Sequence, residues 1–518
     1  MLSDAYVPPR RARPRPNRPT AAGAAAADRP VAVVDIGSNS VRLVVFEGPR
    51  RSPLALYNEK VTCELGRGIE RDGRLSADSV ERALTCMERF VAIARRIGAA
   101  SPLLLATAAV RDATDGADFA KAVRARLGTE LTILSGAKEA RLSALGVVSG
   151  NADASGVVGD LGGGSLELVA LANGRLGAQA TLPIGPLRLM ALDAAAASLS
   201  IRDAVDRRLA EVSWLGPTKG TAFFAVGGAW RALARLHMAQ AGYPLRVIHN
   251  YRVAGAEAAE LCDVVARMSR QSLKRVAAVS RNRLAALPWA ALVLRRLLAT
   301  LQPSAVVFSA NGLREGVVFD RLTPAERRRD PLLAACDNLM RGRERGRPHG
   351  AALGRFTAPA FPNQDARHAR LRQAACLLSD IGWREHPEYR AEAAQDSALR
   401  LPFGCLDHDE RGWLALALHA RYGGDTEAPA TRLARRLVAS DEIVGARAVG
   451  LALRLGYSLS GSVTALLAHG RLACGDGTIT LHYGARLAPL VGELVERRLG
   501  ALAEALGRRP SIVAAGPP

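Results

Sequence analysis

The stretch "DIGSNSVRLV", residues 35–44, ends an apolar run at an aspartate, turns through Gly37, Ser38, Asn39 and Ser40, and resumes as an apolar strand. A second stretch, "DLGGGSLELV" at 160–169, repeats this plan 125 residues later, with Gly162, Gly163, Gly164 and Ser165 in the turn. Glycine lets a backbone approach a ligand and take positive φ, so successive N–H groups point into one concavity that can wrap phosphate oxygens. Ser38, Ser40 and Ser165 add hydroxyl donors. One glycine hairpin is common; two, each after a strand-end aspartate, can clamp a phosphate group from both sides.

The text around each hairpin repeats as well. "VAVVD", "VRLVVFE" and "LALYNEKV" read as strands, and Ser76–Gly98 as a helix with Ser76 as N-cap and Val80, Leu84, Met87, Val91 and Ala94 on one face. "PLLLAT" and "ELTIL" are further strands, and a new helix opens at Ser135. From "GVVGDL" the cycle restarts, with "LELVAL", "TAFFAV" and "AVVFS" as later strands. Two such units predict a duplicated α/β architecture. Past 325 the strand signals stop, leaving mostly helical text with room for one small strand at "TITLHYG". The expected division is a disordered basic tail at 1–30, α/β domains at 31–143 and 144–325, and a helical domain at 326–518.

The chain has 518 residues, nearly half of them hydrophobic, and a net charge of +21. Only five cations are lysines, a bias that explains arginine over lysine but not the excess of cations over anions. The first 30 residues supply four of those charges, so the folded part is itself basic and suits a polyanionic partner. No apolar run approaches the ~20 residues that span a bilayer, and the N-terminal text lacks a signal peptide's apolar segment. Seven scattered cysteines without a C-x-x-C pair argue against a disulfide framework or zinc ribbon. The expected location is the cytoplasm, with no membrane partner.

Strand alternation sends Glu167 to the face of Ser165, with Leu166 and Leu168 toward the core and Asp160 at the rim. Carboxylates beside a phosphate repel it, so a divalent cation is the natural mediator, and Mg²⁺ usually takes one or two carboxylates. The competing reading makes Asp160 a turn cap and Glu167 a solvated surface residue. Glu139, one turn into the helix that opens at Ser135, is the candidate base for an attacking water. Alone, it could equally serve the helix macrodipole.

Seven segments, "DIGSNSVRL", "ATAAVRDA", "SGAKEARL", "GDLGGGSLE", "LPIGPLRL", "AVGGAWRALA" and "NGLREGV", together resemble the exopolyphosphatase and guanosine pentaphosphate phosphohydrolase (Ppx/GppA) family over residues 31–320. The resemblance implies an actin-like, ribonuclease H-like fold with a cleft between two related domains. It implies removal of terminal phosphate from inorganic polyphosphate, or of the 5′ γ-phosphate from pppGpp, with Mg²⁺. Carried over by motif, Glu139 activates water; Asp160 and Glu167 hold the metal; Gly37, Ser38, Asn39 and Ser40 form one phosphate loop and Gly162, Gly163, Gly164 and Ser165 the other; Arg111 contacts the phosphate chain. Partners so implied are polyphosphate, pppGpp or ppGpp, and a second copy in a homodimer.

Two departures qualify the resemblance. Where the family usually has threonine after paired glycines, this chain reads "GGAW", and the bulk of Trp230 leans the expectation toward polyphosphate over a nucleotide. The C-terminal region resembles HD phosphohydrolases, but Ser379-Asp380 stands where an HD site has His-Asp, which argues against a second metal centre and for a basic surface holding polymer or partner. A sugar-kinase-like phosphotransferase and a non-catalytic polyphosphate or alarmone sensor are the readings from other classes.

Overall fold

The computed structural model describes residues 29–194, 201–268, 284–343 and 349–514. The expected tail at 1–30 lies outside them except for its last two residues, as does part of the charged stretch 341–350.

Two sheets carry the same plan. The first has strands β1 (Val31–Ile36), β2 (Ser40–Phe46), β3 (Ala55–Thr62), β4 (Leu103–Ala106) and β5 (Leu131–Ile133) in the order β3-β2-β1-β4-β5. Its hairpin strands β1, β2 and β3 pair antiparallel, while β1, β4 and β5 run parallel. The second has β6 (Gly156–Leu161), β7 (Leu166–Ala172), β8 (Arg175–Leu182), β9 (Ala222–Val226), β10 (Tyr251–Ala254) and β11 (Ala305–Phe308) in the order β10-β11-β9-β6-β7-β8. Removing the antiparallel edge strand β10 leaves β6, β7, β8, β9 and β11 in the places of β1 to β5. This is the duplicated α/β architecture expected from the sequence.

The near-continuous apolar text of β1 follows from burial on both faces. Val34 and Ile36 pack on one side with Leu84, Met87 and Val91 of the helix Ala77–Ile97, whose N-cap Ser76 accepts a hydrogen bond from the Ser79 N–H. Val33 packs on the other side with Leu313, Val317 and Val318 of the helix Leu313–Asp320. The helix Gly136–Gly150 covers the second sheet through Ala140, Ala144 and Val147 and touches the first through Leu142. Each sheet therefore borrows a helix that follows the other sheet in the chain. The division expected between 143 and 144 falls inside Gly136–Gly150, which runs unbroken through it.

Residues 331–514 are mostly helical around a core that includes Trp413, Leu416, Leu453 and Leu499. Here the expectation of at most one small strand is corrected. A third sheet is formed by β12 (Gly470–Gly475), β13 (Thr478–Tyr483) and β14 (Arg509–Ala514). Asp476 and Gly477, both at positive φ, turn β12 into β13, the Asp-Gly signal of a tight hairpin. The helix Glu493–Ala505 then returns the chain so that β14 lies parallel to β13.

The helical part is tied to the sheets by buried polar contacts. Arg51, after β2, donates to the carbonyls of Ser149, Arg327 and Arg329. His249 Nε2 donates to the Gly404 carbonyl at 2.9 Å, and burial lowers its pKa to about 4, so it serves as a neutral link.

Candidate active site

The two hairpins are built alike. Gly37 N–H donates to the Ser40 carbonyl and Gly162 N–H to the Ser165 carbonyl, each at 3.0 Å. Ile36 pairs with Val41 and Leu161 with Leu166, so both turns hold four residues. One step back along each hairpin, Asp35 sits across from Arg42, whereas Asp160 sits across from Glu167. The turns meet tip to tip: a Cβ on Gly163 would lie 2.9 Å from Ser38 Cβ and 3.0 Å from Leu187 Cδ1. Glycine is required there because the opposing turn occupies the space.

Between the turns lies a cleft of about 250 Å³. It is lined by Gly37, Ser38, Asn39 and Ser40 from the first turn, by Gly162, Gly163 and Ser165 from the second, and by Glu139 and Asp160. Three other site residues lie outside its lining. Gly164 faces Ser38 and Ala108 on the far side of the turn. Glu167 is 1% exposed and buried, as are Leu166 and Leu168. Arg111 lines a second cavity of about 640 Å³, which shares Ser165 with the first, and its Nη1 donates to Glu139 Oε2 at 2.8 Å. The expected arginine is thus on the candidate base, with a second bond to the Leu134 carbonyl.

Glu139 sits in the first turn of its helix, with Ser135 capping the end through the Lys138 N–H. The helix terminus favours a carboxylate, yet burial pushes its pKa up to about 7 against the pull of Arg111, and the charges of Asp160 and Asp35 add to the rise. One turn on, Ser143 donates its hydroxyl to Asp160 Oδ2, so the same helix face holds both acids. Burial also raises Asp160, with the Ser143 bond opposing. Glu167 is raised well above its ordinary value, first by burial and then by the Glu139 charge, with the Ser165 hydroxyl and the Arg111 charge opposing, and among the described residues no donor is well placed on either of its buried oxygens. Asp35 is raised by burial despite an ion pair with Arg314 at 3.1 Å.

Sequence reasoning missed the cationic half of the site. Arg42, Lys60, Arg231 and Arg314 all line the cleft. Arg42 and Lys60 are directly opposite on β2 and β3, so their like charges share one face. Arg314 stood inside the motif "NGLREGV", and Lys60 is one of only five lysines, but neither signal names a role.

The reading of Trp230 is corrected. Its ring is fully buried, edge-on to Phe223 at 5.5 Å, with its N–H on the Ala290 carbonyl at 3.0 Å. Ala229, not Trp230, lines the cleft. A helix exposes adjacent residues about 100° apart, and the wide apolar ring took the core side.

A model described as the Ppx/GppA phosphatase family matches residues 43–325, and one described as "Exopolyphosphatase, C-terminal" matches residues 332–513. "Exopolyphosphatase 1" of Mycobacterium tuberculosis is 29% identical over 302 residues, 56% of this chain and 87% of the relative. "Retrograde regulation protein 2" of Saccharomyces cerevisiae is 26% identical over 441 residues, 76% of this chain and 72% of the relative. The crystal structure of an exopolyphosphatase from Cytophaga hutchinsonii superposes with a TM-score of 0.51 at 20% identity, covering 57% of this chain and 99% of the other. An exopolyphosphatase-like protein superposes with a TM-score of 0.50 at 23% identity, covering 56% and 97%. These two structures speak to the fold. The doubled glycine hairpin, the acids between its turns and a family match over more than half of the residues agree: the chain belongs to the Ppx/GppA phosphatase family.

Proposed function

We propose that this protein is an exopolyphosphatase that hydrolyses the terminal phosphate of inorganic polyphosphate, with Glu139 activating the attacking water. The observation that carries the reading is Glu139 itself, a buried carboxyl with a pKa of about 7 that lines the cleft beside both phosphate-cradling turns. A base poised near neutral pH takes a proton most effectively. Arg111 holds Oε2, which leaves Oε1 as the acceptor for water. Water adds to the terminal phosphorus, the bridging P–O bond breaks, and the water's proton passes to Glu139; orthophosphate and a chain one unit shorter result. The turns fix the terminal phosphate through N–H and hydroxyl groups, and Arg42, Lys60, Arg231 and Arg314 supply the countercharge.

The acids fit Mg²⁺ or another divalent cation. Glu167 has two buried oxygens with only the Ser165 hydroxyl offered to them, and among the described residues Asp160 accepts a hydrogen bond from Ser143 alone. Asp160 and Glu167 would hold the ion. Among the described residues no three His, Cys, Asp or Glu side chains are close enough together to hold an ion by themselves, so an ion held by Asp160 and Glu167 would be completed by substrate oxygens and water. When bound, the ion neutralises phosphate charge beside the two acids.

With Trp230 in the core, bulk at that position no longer argues against a nucleotide. Phosphate release from long-chain polyphosphate and from pppGpp, compared at equal protein and Mg²⁺, tests the reading; a higher kcat/KM for pppGpp overturns it. We further read the enzyme as a cytoplasmic homodimer, for which sedimentation gives the oligomeric state. We read 326–518 as a separate domain of HD-like descent without its own metal centre. In support, Asp380 faces the guanidinium of Arg421 at 3.8 Å, and His386 is exposed on the surface.

A further inference from the structure

The segment "LPIGPLRL", residues 182–189, reaches the cleft with Pro186 and Leu187 but not with its arginine, Arg188. Its backbone is locked to the second turn. The Leu187 N–H donates to the Gly163 carbonyl at 2.9 Å and the Gly185 N–H to the Gly164 carbonyl at 3.2 Å. A Cβ on Gly185 would lie 2.4 Å from the Gly163 oxygen, so only glycine allows the approach. Arg188, in the first turn of the helix Pro186–Ala194, is thereby set at a fixed place relative to the turn that cradles phosphate on the proposed reading.

From Arg188 a run of ion pairs leads to Glu139. Arg188 Nη2 donates to Asp112 Oδ2 at 2.9 Å, and Arg111 Nε donates to the other oxygen, Oδ1, at 3.3 Å. Arg111 Nη1 in turn holds Glu139 Oε2 at 2.8 Å. Arg111 and Asp112 end the short helix Ala108–Asp112, which follows β4 of the first sheet, whereas Arg188 follows β8 of the second. Four alternating charges therefore join the second turn to Glu139 by way of the other sheet's helix. The side chains of Arg111, Asp112 and Arg188 are 20%, 34% and 24% exposed, and partly solvated pairs of this kind add little to stability. What they supply is orientation. Arg111 has two carboxylates within reach, and with Arg188 gone both oxygens of Asp112 would be offered to its fork. A bidentate pair with Asp112 would then draw the guanidinium off Glu139.

With Glu139 as the base, the reading on which this rests, we propose that Arg188 and Asp112 are positioning residues for phosphate release. Arg188 occupies one oxygen of Asp112, and Asp112 holds Arg111 at the angle that keeps Glu139 aimed at the phosphate in the second turn. A base displaced by about 1 Å loses a large factor in rate, while the turns and cleft cations still bind the chain. The loss therefore falls on kcat rather than on KM.

The test is phosphate release from long-chain polyphosphate at saturating Mg²⁺, with kcat and KM measured for wild type, Arg188→Gln, Arg188→Lys, Asp112→Asn and Arg188→Gln/Asp112→Asn. Arg188→Gln is expected to lower kcat about tenfold with KM within about threefold of wild type. Arg188→Lys keeps a cation on Asp112 and should hold kcat within about threefold of wild type. In Asp112→Asn the competing carboxylate is gone, so adding Arg188→Gln should change kcat by less than about twofold. Wild-type kcat in Arg188→Gln overturns the proposal, as does Arg188→Lys as slow as Arg188→Gln, or the same loss with and without Asp112. A rise in KM that accounts for the whole loss also overturns it, by making Arg188 a contact for the chain. Should the Asp112 variants fail to fold, the contrast of Arg188→Lys with Arg188→Gln decides. Glu139→Gln, measured alongside, separates the two levels: wild-type turnover there sinks the base and the positioning together, whereas a slow Glu139→Gln beside an unimpaired Arg188→Gln sinks the positioning alone. If pppGpp proves the better substrate, the same comparisons are read on its phosphate release.

Discussion

The two hairpins share a backbone and differ in how their acids are answered. In the first, Asp35 is opposite Arg42 and paired with Arg314, so its charge is met twice by cations. In the second, Asp160 is opposite another acid and its hydrogen bond comes from a neutral hydroxyl, with Arg231 and Arg314 acting on it only through their charge. Glu167 has Ser165 and Arg111 near it but no ion pair among the described residues. A duplicated turn thus diverged by the charge two residues past it. Buried carboxylates left unanswered cost free energy in the empty protein and lower it when a cation enters. On the proposed reading, the first hairpin meets its acid with cations of its own fold and the second would be completed by the cation it binds.

The sharpest way to break that account is at the residue between the turns. Glu139→Gln keeps the size of the side chain and removes the proposed base, and phosphate release from polyphosphate should fall by about 10²- to 10⁴-fold. Chain binding should stay within a few-fold of wild type, since the turns and cations remain. Wild-type turnover would sink the assignment. Next in size is the contrast between acids. Glu167→Gln should raise the Mg²⁺ needed for half-maximal activity by about 10- to 100-fold while making the metal-free protein more resistant to urea. Asp35→Asn should do the reverse to stability, costing about 1–3 kcal/mol by stripping Arg314 of its partner. Equal stability effects from the two would erase the distinction drawn between the hairpins.

How much of this could be read from the sequence depended on distance along the chain. The turns, Glu139 and Asp160 were legible because a strand, a turn and a helix start each fit within about ten residues, and alternation or capping fixes where their side chains point. Arg314 was not, because its partner Asp35 lies 279 residues away and the helix crossing that joins them is a tertiary event. Trp230 was misplaced because local spacing does not say which side of a helix start faces the cleft. The β12–β13 hairpin had its signal, Asp476-Gly477, but the mainly helical text around it masked two short strands.

The turns should also answer glycine replacement unequally. Gly163→Ala puts a methyl where Ser38 already is, while the nearest atom to a Cβ on Gly37 is the Ser40 carbonyl oxygen at 3.5 Å. Overpacking at a cost of about 1–3 kcal/mol should lower kcat/KM roughly tenfold or more for Gly163→Ala, with Gly37→Ala within about twofold. Matching losses would show that the turns do not meet in the working enzyme.

Acidity offers a gentler probe. Glu139 and Glu167 both have folded-state values raised above the ordinary carboxylate range. Their contribution to stability is fully present below about pH 4.5 and is lost as pH rises, for Glu139 through about 7. Urea unfolding with the metal chelated should therefore show a decline across that window, flattened in Glu139→Gln and in Glu167→Gln, and Mg²⁺ should restore stability at the upper end. Over the same window turnover should rise as Glu139 ionises, so activity and metal-free stability move in opposite directions.

The smallest effect belongs to the cations of the first hairpin's sheet. Arg42 and Lys60 lie side by side and their mutual repulsion is relieved by a polyanion, so each should add to affinity mainly through released counterions. Arg42→Gln and Lys60→Gln should each raise KM for long-chain polyphosphate a few-fold at low salt, with kcat nearly unchanged. The dependence of log KM on log salt should be shallower by up to about one in each variant. Because Arg42 stands where the second hairpin has Glu167, the pair of substitutions also weighs the two halves of the duplication. If Arg42→Gln lowered kcat and changed the Mg²⁺ requirement as Glu167→Gln does, both hairpins would be managing the metal, and the division between grip and charge handling would fall.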